Sequence, residues 1–496
     1  MRSELSGARL SVDGLTVSAI VYLVLPNLIF VFGWLQTAFS IASCAVLLFF
    51  LRELLSTSSR WPTGYSRPAF ALIIFSALVW AAFGGGSHFM YANSDWVVRD
   101  AVLGDLISKP WPVHYLSPEG TQLILRSAIG YFLPPALFGK IFGTEYLDVA
   151  IFFWTAAGTA IFLLLLPLKR QIGIPLASGI LLAVFFSGMD FIGQIVSTQS
   201  LPMFPLRLEW WGPLSYPSLC VQLLWAPNHC LPIWIATLLV VRYWESPHFV
   251  NLAAAVLPLS LIWTPFAALG LMPFALFGTI RQIRSFGSHT MPWTSIGAAA
   301  IFSLPICLFL LLDVGHIEAG TINQAVGAGS HASPSVSLNQ YMTFVACEFL
   351  LLALVLLPLI KQRKDMFWLA LSILLLLPFF GYGPSNDSLL RLCAPPLIIM
   401  LVTCLETLCV DVKPSHQPTR WIAWIFLAIG AHSGFNELWR AASYHRWKPD
   451  YSISLTQQQH GRPAFHYAGA IDHSPMQSLL KPLQEDNRPA TEQSTP

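Results

Sequence analysis

The sequence predicts an all-α polytopic membrane protein, and three observations carry that prediction. Of 496 residues, 55% are hydrophobic and only 10% are charged, with a mean hydropathy of +0.61. A soluble chain runs nearer one-quarter charged, because its surface must be hydrated. The apolar residues also gather into runs long enough to cross a bilayer as helices, the form that satisfies every backbone polar group within one segment. A soluble enzyme, a disordered chain and a secreted disulfide scaffold are excluded. The formal net charge of +2 is too small and too dispersed for nucleic acid.

In order along the chain, spans are expected near 16–34, 38–52, 68–85, 147–168, 174–188, 229–245, 250–264, 266–281, 293–313, 340–360, 366–381, 391–410 and 420–435. That makes about thirteen, within a range of 11–14. Met1 to Gly14 lacks an apolar core and a cleavage site, so the first span is expected to be retained. One alternating set of termini and loops carries 15 Lys and Arg; the opposite set carries 6 before the C-terminal tail is counted. Basic residues are held inside, so the N-terminus is expected in the cytoplasm. The run Leu125–Gly143 is apolar enough to cross, but doing so would put Lys169 and Arg170 outside. It is therefore expected to lie along the outer surface.

This arrangement divides the chain into a transmembrane domain, 1–435, and a soluble extracytoplasmic tail, 436–496. The domain carries outer loops at 86–146 and 189–228 and a smaller Gly/Ala/Ser-rich one at 314–339. The tail holds six basic and six acidic residues and is expected to be disordered beyond Ser474. Of eight cysteines, only Cys220 and Cys230 could meet outside the membrane. No CxxC or His-rich cluster indicates a structural metal.

With so few charges, those in the outer loops stand out. Ser94 is placed to cap a helix starting at Asp95. On that helix Asp95 and Arg99 share one face, as do Trp96 and Asp100. An ordinary Asp–Arg pair on a wet helix is the plain alternative to a reactive carboxylate at the lipid–water boundary. In Gly130–Gly143 (GYFLPPALFGKIFG), Pro134-Pro135 prevents a continuous helix, and a short amphipathic segment carrying Lys140 follows. His229, in WAPNHC, sits at an outer boundary. Asn386, Asp387 and Arg391 lie at the outer mouth of a late span, where Arg391 either pairs with Asp387 or holds a phosphate with its fork of donors. Glu348 and Glu406 fall within spans.

Together these features resemble the GT-C superfamily of polytopic glycosyltransferases, similar to the protein mannosyltransferase and aminoarabinose transferase types. The resemblance rests on an outer segment opening with an acidic residue, Asp95 in NSDWVVRDAVLGDL. A PP-L motif with an FG signal follows, LPPALFGKIFG at Leu133–Gly143. Last comes an Arg before a Pro-containing span, Arg391 in RLCAPPLIIM. The chain departs from the family pattern in having three spans before the acidic segment, Asp95 and Asp100 apart rather than adjacent, Leu133 before Pro-Pro, and Leu392 after the late Arg.

The resemblance implies inverting transfer of a sugar from a polyprenyl-phosphate carrier to a glycan, lipid or protein acceptor outside the cytoplasm. It implies Asp95 as base with Asp100 as a second candidate, and Arg391 and Lys140 as holders of the donor phosphate. Arg99, His229 and Asp387 join the expected substrate-binding set. A divalent cation, Mg or Mn, is compatible with this chemistry, although no ligand set is visible. The expected home is a bacterial inner membrane, with the site facing the periplasm. Two rival readings are a transporter or flippase for a lipid-linked sugar, using Glu348, Glu406 and Arg391 as pathway charges, and an inactive envelope-assembly subunit.

Overall fold

The computed structural model describes residues 13–55, 64–202, 214–317, 319–321, 336–382, 386–409, 414–461, 463–464, 466–472 and 474–484. Arg2, Arg9, Arg60, Arg207 and Lys413, which entered the orientation count, lie outside them, as does most of the 314–339 loop.

The fold is mostly helical. The first half runs α1 (Gly14–Trp34), α2 (Thr37–Leu55), α3 (Arg67–Ala82), α4 (Asp95–Ser108), α5 (Leu133–Phe142), α6 (Leu147–Leu165), α7 (Ile174–Phe185), α8 (Asp190–Thr198), α9 (Leu219–Trp225) and α10 (Pro227–Arg242). The second runs α11 (Phe249–Leu261), α12 (Pro265–Phe286), α13 (Trp293–Leu310), α14 (Leu338–Val345), α15 (Leu351–Leu356), α16 (Lys364–Leu376), α17 (Asp387–Leu392), α18 (Ala394–Leu408), α19 (Gln417–Ser443) and α20 (Leu455–Gln458). A π-turn at Ala346–Leu350 joins α14 to α15.

Each of the thirteen expected ranges is occupied by helix. Among the described residues, however, only six helices are long and apolar enough to cross a membrane by length and composition: Gly14–Trp34, Thr144–Leu165, Pro265–Phe286, Trp293–Leu310, Leu338–Leu359 and Asp387–Leu408. A seventh arises if α7 and α8, bent by 41° at their junction, count as one broken span. The lateral faces are apolar and open. Val21, Phe32, Phe153, Ile301, Leu304 and Ile425 are all more than half exposed, which water would oppose and lipid would not. Inside, α3 packs on α6, α11 lies between α12 and α13, and α10 touches α6, α11 and α18.

Leu125–Gly143 forms no single long helix. Pro134 and Pro135 lie in the first turn of α5, where the missing N–H is harmless, and the helix is only ten residues long in all before Gly143 turns away. The helix α4 starts at Asp95 as the spacing suggests, but Ser94 is not its side-chain cap. Ser94 is itself in a helical conformation, and the Asn93 carboxamide accepts from the Asp95 N–H at 2.9 Å.

The described part of the tail is not a separate unit. β1 (His114–Leu116) and β2 (Gln122–Leu125) form a hairpin, and β5 (Ala468–Ala470) adds to its other edge with Leu123 opposite Ala470. A second small sheet pairs β3 (Ala319–Thr321) with β4 (Phe380–Tyr382). Leu480 bridges back to Leu35, and the Lys481 ammonium donates to the Phe32 carbonyl at 2.6 Å. Residues 474–484, expected to be disordered, are thus packed against the start of the chain, whereas 485–496 lie outside the described residues.

Candidate functional site

A cavity of about 920 Å³ opens where α4, α10, α12, α17 and the C-terminal segment converge. Its wall contains Asp95, Arg99, His229, Asp387 and Arg391. Five of the seven residues singled out from the sequence, drawn from positions almost 300 apart, therefore share one space.

Asp95 occupies the first turn of α4, and its side chain is 46% exposed. Arg99, one turn on, lies 3.3 Å from the Asp95 carboxylate and is 7% exposed. Arg99 also donates to the Trp225 carbonyl and rests over the Trp96 ring. Its guanidinium is committed to the protein, so it orients Asp95 and the end of α9. Across the cavity, Arg391 lies 3.2 Å from Asp387, again one helical turn apart. The His229 ring bonds through Nδ1 with the Thr264 hydroxyl at 2.8 Å, which ties the start of α10 to that of α12.

Asp100 and Lys140 do not line this cavity. Five residues along an α-helix turn the side chain by about 140°, so Asp100 points away from Asp95. It is buried, with the His88 Nε2 3.1 Å from its carboxylate; Nδ1 of the same ring lies 3.7 Å from Asp148. Burial acts to lower the His88 pKa, but hydrogen bonds and charge from Asp100 and Asp148 outweigh it and raise it to about 9. The Trp447 ring packs edge-on against His88, and the Tyr451 hydroxyl donates to Asp148 at 2.5 Å. Asp100 thus belongs to the seat of the C-terminal segment. Lys140 donates to the carbonyls of Ile107 and Lys109 at 2.8 and 2.7 Å. It closes the C-terminal end of α4, where free carbonyls attract a cation.

Sequence reasoning missed four cavity residues. Arg126, 6% exposed, follows β2 and had been counted only as an outer basic residue. Burial lowers its pKa, with Tyr382 and Asp313 acting in opposition. Gln459, His466 and Tyr467 come from the C-terminal segment, which sequence reasoning had set apart from the membrane domain. Tyr467 lies within electrostatic reach of Asp95, Arg99, Asp387 and Arg391 together, and burial raises its pKa. The Arg126 N–H donates to the Tyr467 carbonyl at 2.8 Å, so the two arrive as a pair.

Three guanidiniums and two carboxylates among the described lining residues give the cavity a formal excess of one positive charge. An anion is favoured there, since charge of one sign between low-dielectric walls focuses its field. Among the described residues no group of three His, Cys, Asp or Glu side chains is placed to hold a metal. Cys220 and Cys230, which were expected to be able to meet, are both buried and are not joined by a disulfide; the Cys220 thiol donates to the Val184 carbonyl.

The other carboxylates of the spans lie elsewhere. Glu406 pairs with Arg363 at 2.5 Å. Glu348 is buried in the π-turn beside Gly188, where a Cβ would fall 2.2 Å from its carboxylate. Next to it Asp190, fully buried, accepts from Ser187 and Ser433 at 3.2 and 2.8 Å.

In comparisons with known proteins, no family model, curated protein or solved structure matched this chain.

Proposed function

We propose that this chain is an inverting glycosyltransferase of the GT-C type, moving a sugar from a polyprenyl-phosphate carrier to an acceptor hydroxyl on the extracytoplasmic face. In this reading about thirteen helices cross a bacterial inner membrane, and the N-terminus is cytoplasmic. The observation that carries the reading is the shared cavity, in which a half-exposed Asp95 stands with Arg126 and Arg391.

The chemistry asks for a base and an anion site. As the acceptor oxygen attacks the anomeric carbon from the face opposite the phosphate, Asp95 takes the hydroxyl proton. The bond from the anomeric carbon to the phosphate oxygen breaks, and its electron pair stays with the phosphate. Arg391 and Arg126 stabilise the charge that grows there. Arg99 keeps the Asp95 carboxylate aimed at the cavity. A divalent cation would supply further charge to the phosphate, but the two cavity carboxylates each face an arginine, and no step here is routed through a metal.

The test is transfer of radiolabelled sugar from a panel of hexosyl and pentosyl polyprenyl phosphates, using the protein in proteoliposomes with envelope lipids and glycans as acceptors. Product formed by wild type and lost in Asp95→Asn supports the reading; product formed equally by both overturns the role of Asp95. A second reading, translocation of a lipid-linked sugar, draws on Asp190 and Glu348 buried at the break between α7 and α8. Movement of a labelled lipid across proteoliposomes without a transferred product would favour it.

A further inference from the structure

The junction between α9 and α10 carries a side chain that the mechanism above does not use. Asn228 lines the cavity and is 5% exposed. Its Oδ1 is buried with no hydrogen-bond partner, and neither end of its carboxamide is bonded among the described residues. Buried polar atoms almost always find partners, and one left without costs its full desolvation. Two other carboxamides show the contrast. Gln222, on the same wall, uses both ends: Trp234 donates to its Oε1 at 2.9 Å, and its Nε2 donates to the Pro217 carbonyl at 2.8 Å. Asn27 also has a bare Oδ1, but its Nδ2 braces two carbonyls within the bundle, those of Leu23 and Leu259. Asn228 braces nothing.

What would complete it follows from its chemistry. A carboxamide offers two donors and one acceptor, whichever way round the amide is set. A phosphate only accepts and would leave the acceptor unpaired. A hydroxyl, or two neighbouring hydroxyls on one ring, both donates and accepts. Trp225, on the same wall, has its indole N–H committed to Glu437 at 3.1 Å and the Arg440 guanidinium over its ring, so it is held in place beside Asn228.

We infer that Asn228 reads a ring hydroxyl of the donor sugar while the arginines hold its phosphate, so that Asn228 sets sugar selectivity. This rests on the glycosyl-donor reading above. The test measures binding to the protein in lipid nanodiscs of bare decaprenyl phosphate and of a panel of hexosyl and pentosyl decaprenyl phosphates. Wild type is expected to bind at least one glycosylated probe about tenfold more tightly than the bare one, the scale of one hydrogen bond in a desolvated site. Asn228→Ala and the near-isosteric Asn228→Leu are expected to erase that preference and leave bare decaprenyl phosphate within about twofold. Because the carboxamide braces nothing, Asn228→Leu is also expected to melt no lower than wild type. A preference that survives both substitutions, its absence from wild type across the panel, or a lowered melting temperature in Asn228→Leu overturns the inference alone. Failure of wild type to bind any probe, bare or glycosylated, overturns the donor reading and this inference with it.

Discussion

Asp95 and Asp100 are the same residue type on the same short helix, yet the structure gives them opposite circumstances. Asp95 is half exposed at a cavity, held from one side by Arg99. Asp100 is buried against a charged His88, with Asp148, Trp447 and Tyr451 close by. One face of α4 meets a space that a ligand can fill, and the other meets the C-terminal segment. Asp105 continues that second face, accepting from the Tyr115 and Ser454 hydroxyls and the Leu455 N–H at 2.9, 3.0 and 2.9 Å. A carboxylate buried against groups of its own protein is a fastener; one left open beside a cavity is available for chemistry.

The sharpest way to break this contrast is to neutralise each acid in turn. Asp95→Asn is expected to lower transferase turnover at least about a hundredfold, with the melting temperature unchanged. Asp100→Asn is expected to lower the melting temperature and to keep turnover, measured on the folded fraction, within a few-fold. An Asp100→Asn protein as inactive as Asp95→Asn, yet equally stable, would erase the distinction. Asp105→Ala removes a buried acceptor from three donors and Lys109, and is expected to destabilise the protein by about 3 kcal/mol. Limited proteolysis should then cut within 444–484 before it cuts elsewhere.

A pH series sharpens the same comparison. His88 has its pKa raised from 6.5 to about 9 in the folded protein. Its contribution is therefore complete below about pH 6.5 and is lost as pH rises through about 9, on the order of 3 kcal/mol. The melting temperature should fall over that window in wild type, and Asp100→Asn should flatten the slope. On the cavity face, Arg391→Ala is expected to raise the KM for the polyprenyl-phosphate donor about tenfold, near 1.4 kcal/mol, with a smaller change in kcat. The smallest effect belongs to Lys140→Ala, an exposed cation on α5 away from the cavity. Turnover should stay within about twofold and stability within about 0.5 kcal/mol.

Much of the architecture was legible because lipid imposes a simple rule on composition. Every range expected to be a span holds a helix, and Pro134-Pro135 marked where the run after Leu125 could not be one. The span count was less legible, since helices such as α11 and α16 are too short or too sheltered for apolar length alone to decide. At the site, Asp95, Arg99, Asp387 and Arg391 could be picked out because charge is scarce and i,i+4 spacing pairs them. Asp100 and Lys140 fall outside the cavity for a reason spacing cannot reveal: which side of a short helix faces a cavity depends on what packs against the other side. That partner is the C-terminal segment, whose polar composition resembles a solvated tail. Its docking depends on single contacts, such as the Tyr451 carbonyl lying so near Gly104 that a Cβ there would come within 2.2 Å. Asn228 gave no signal in sequence, because a missing partner is visible only in three dimensions.

The strand β5 has a consequence for how the molecule comes into being. It follows the last long helix, yet it completes the sheet begun by β1 and β2 and brings Tyr467 to the cavity wall. While the ribosome still holds this strand, the long helices before it are already made but the pocket lacks a side. The segment carrying β5 and Tyr467 closes it, so a chain cut before β5 would leave the helical bundle with an open, unfinished pocket.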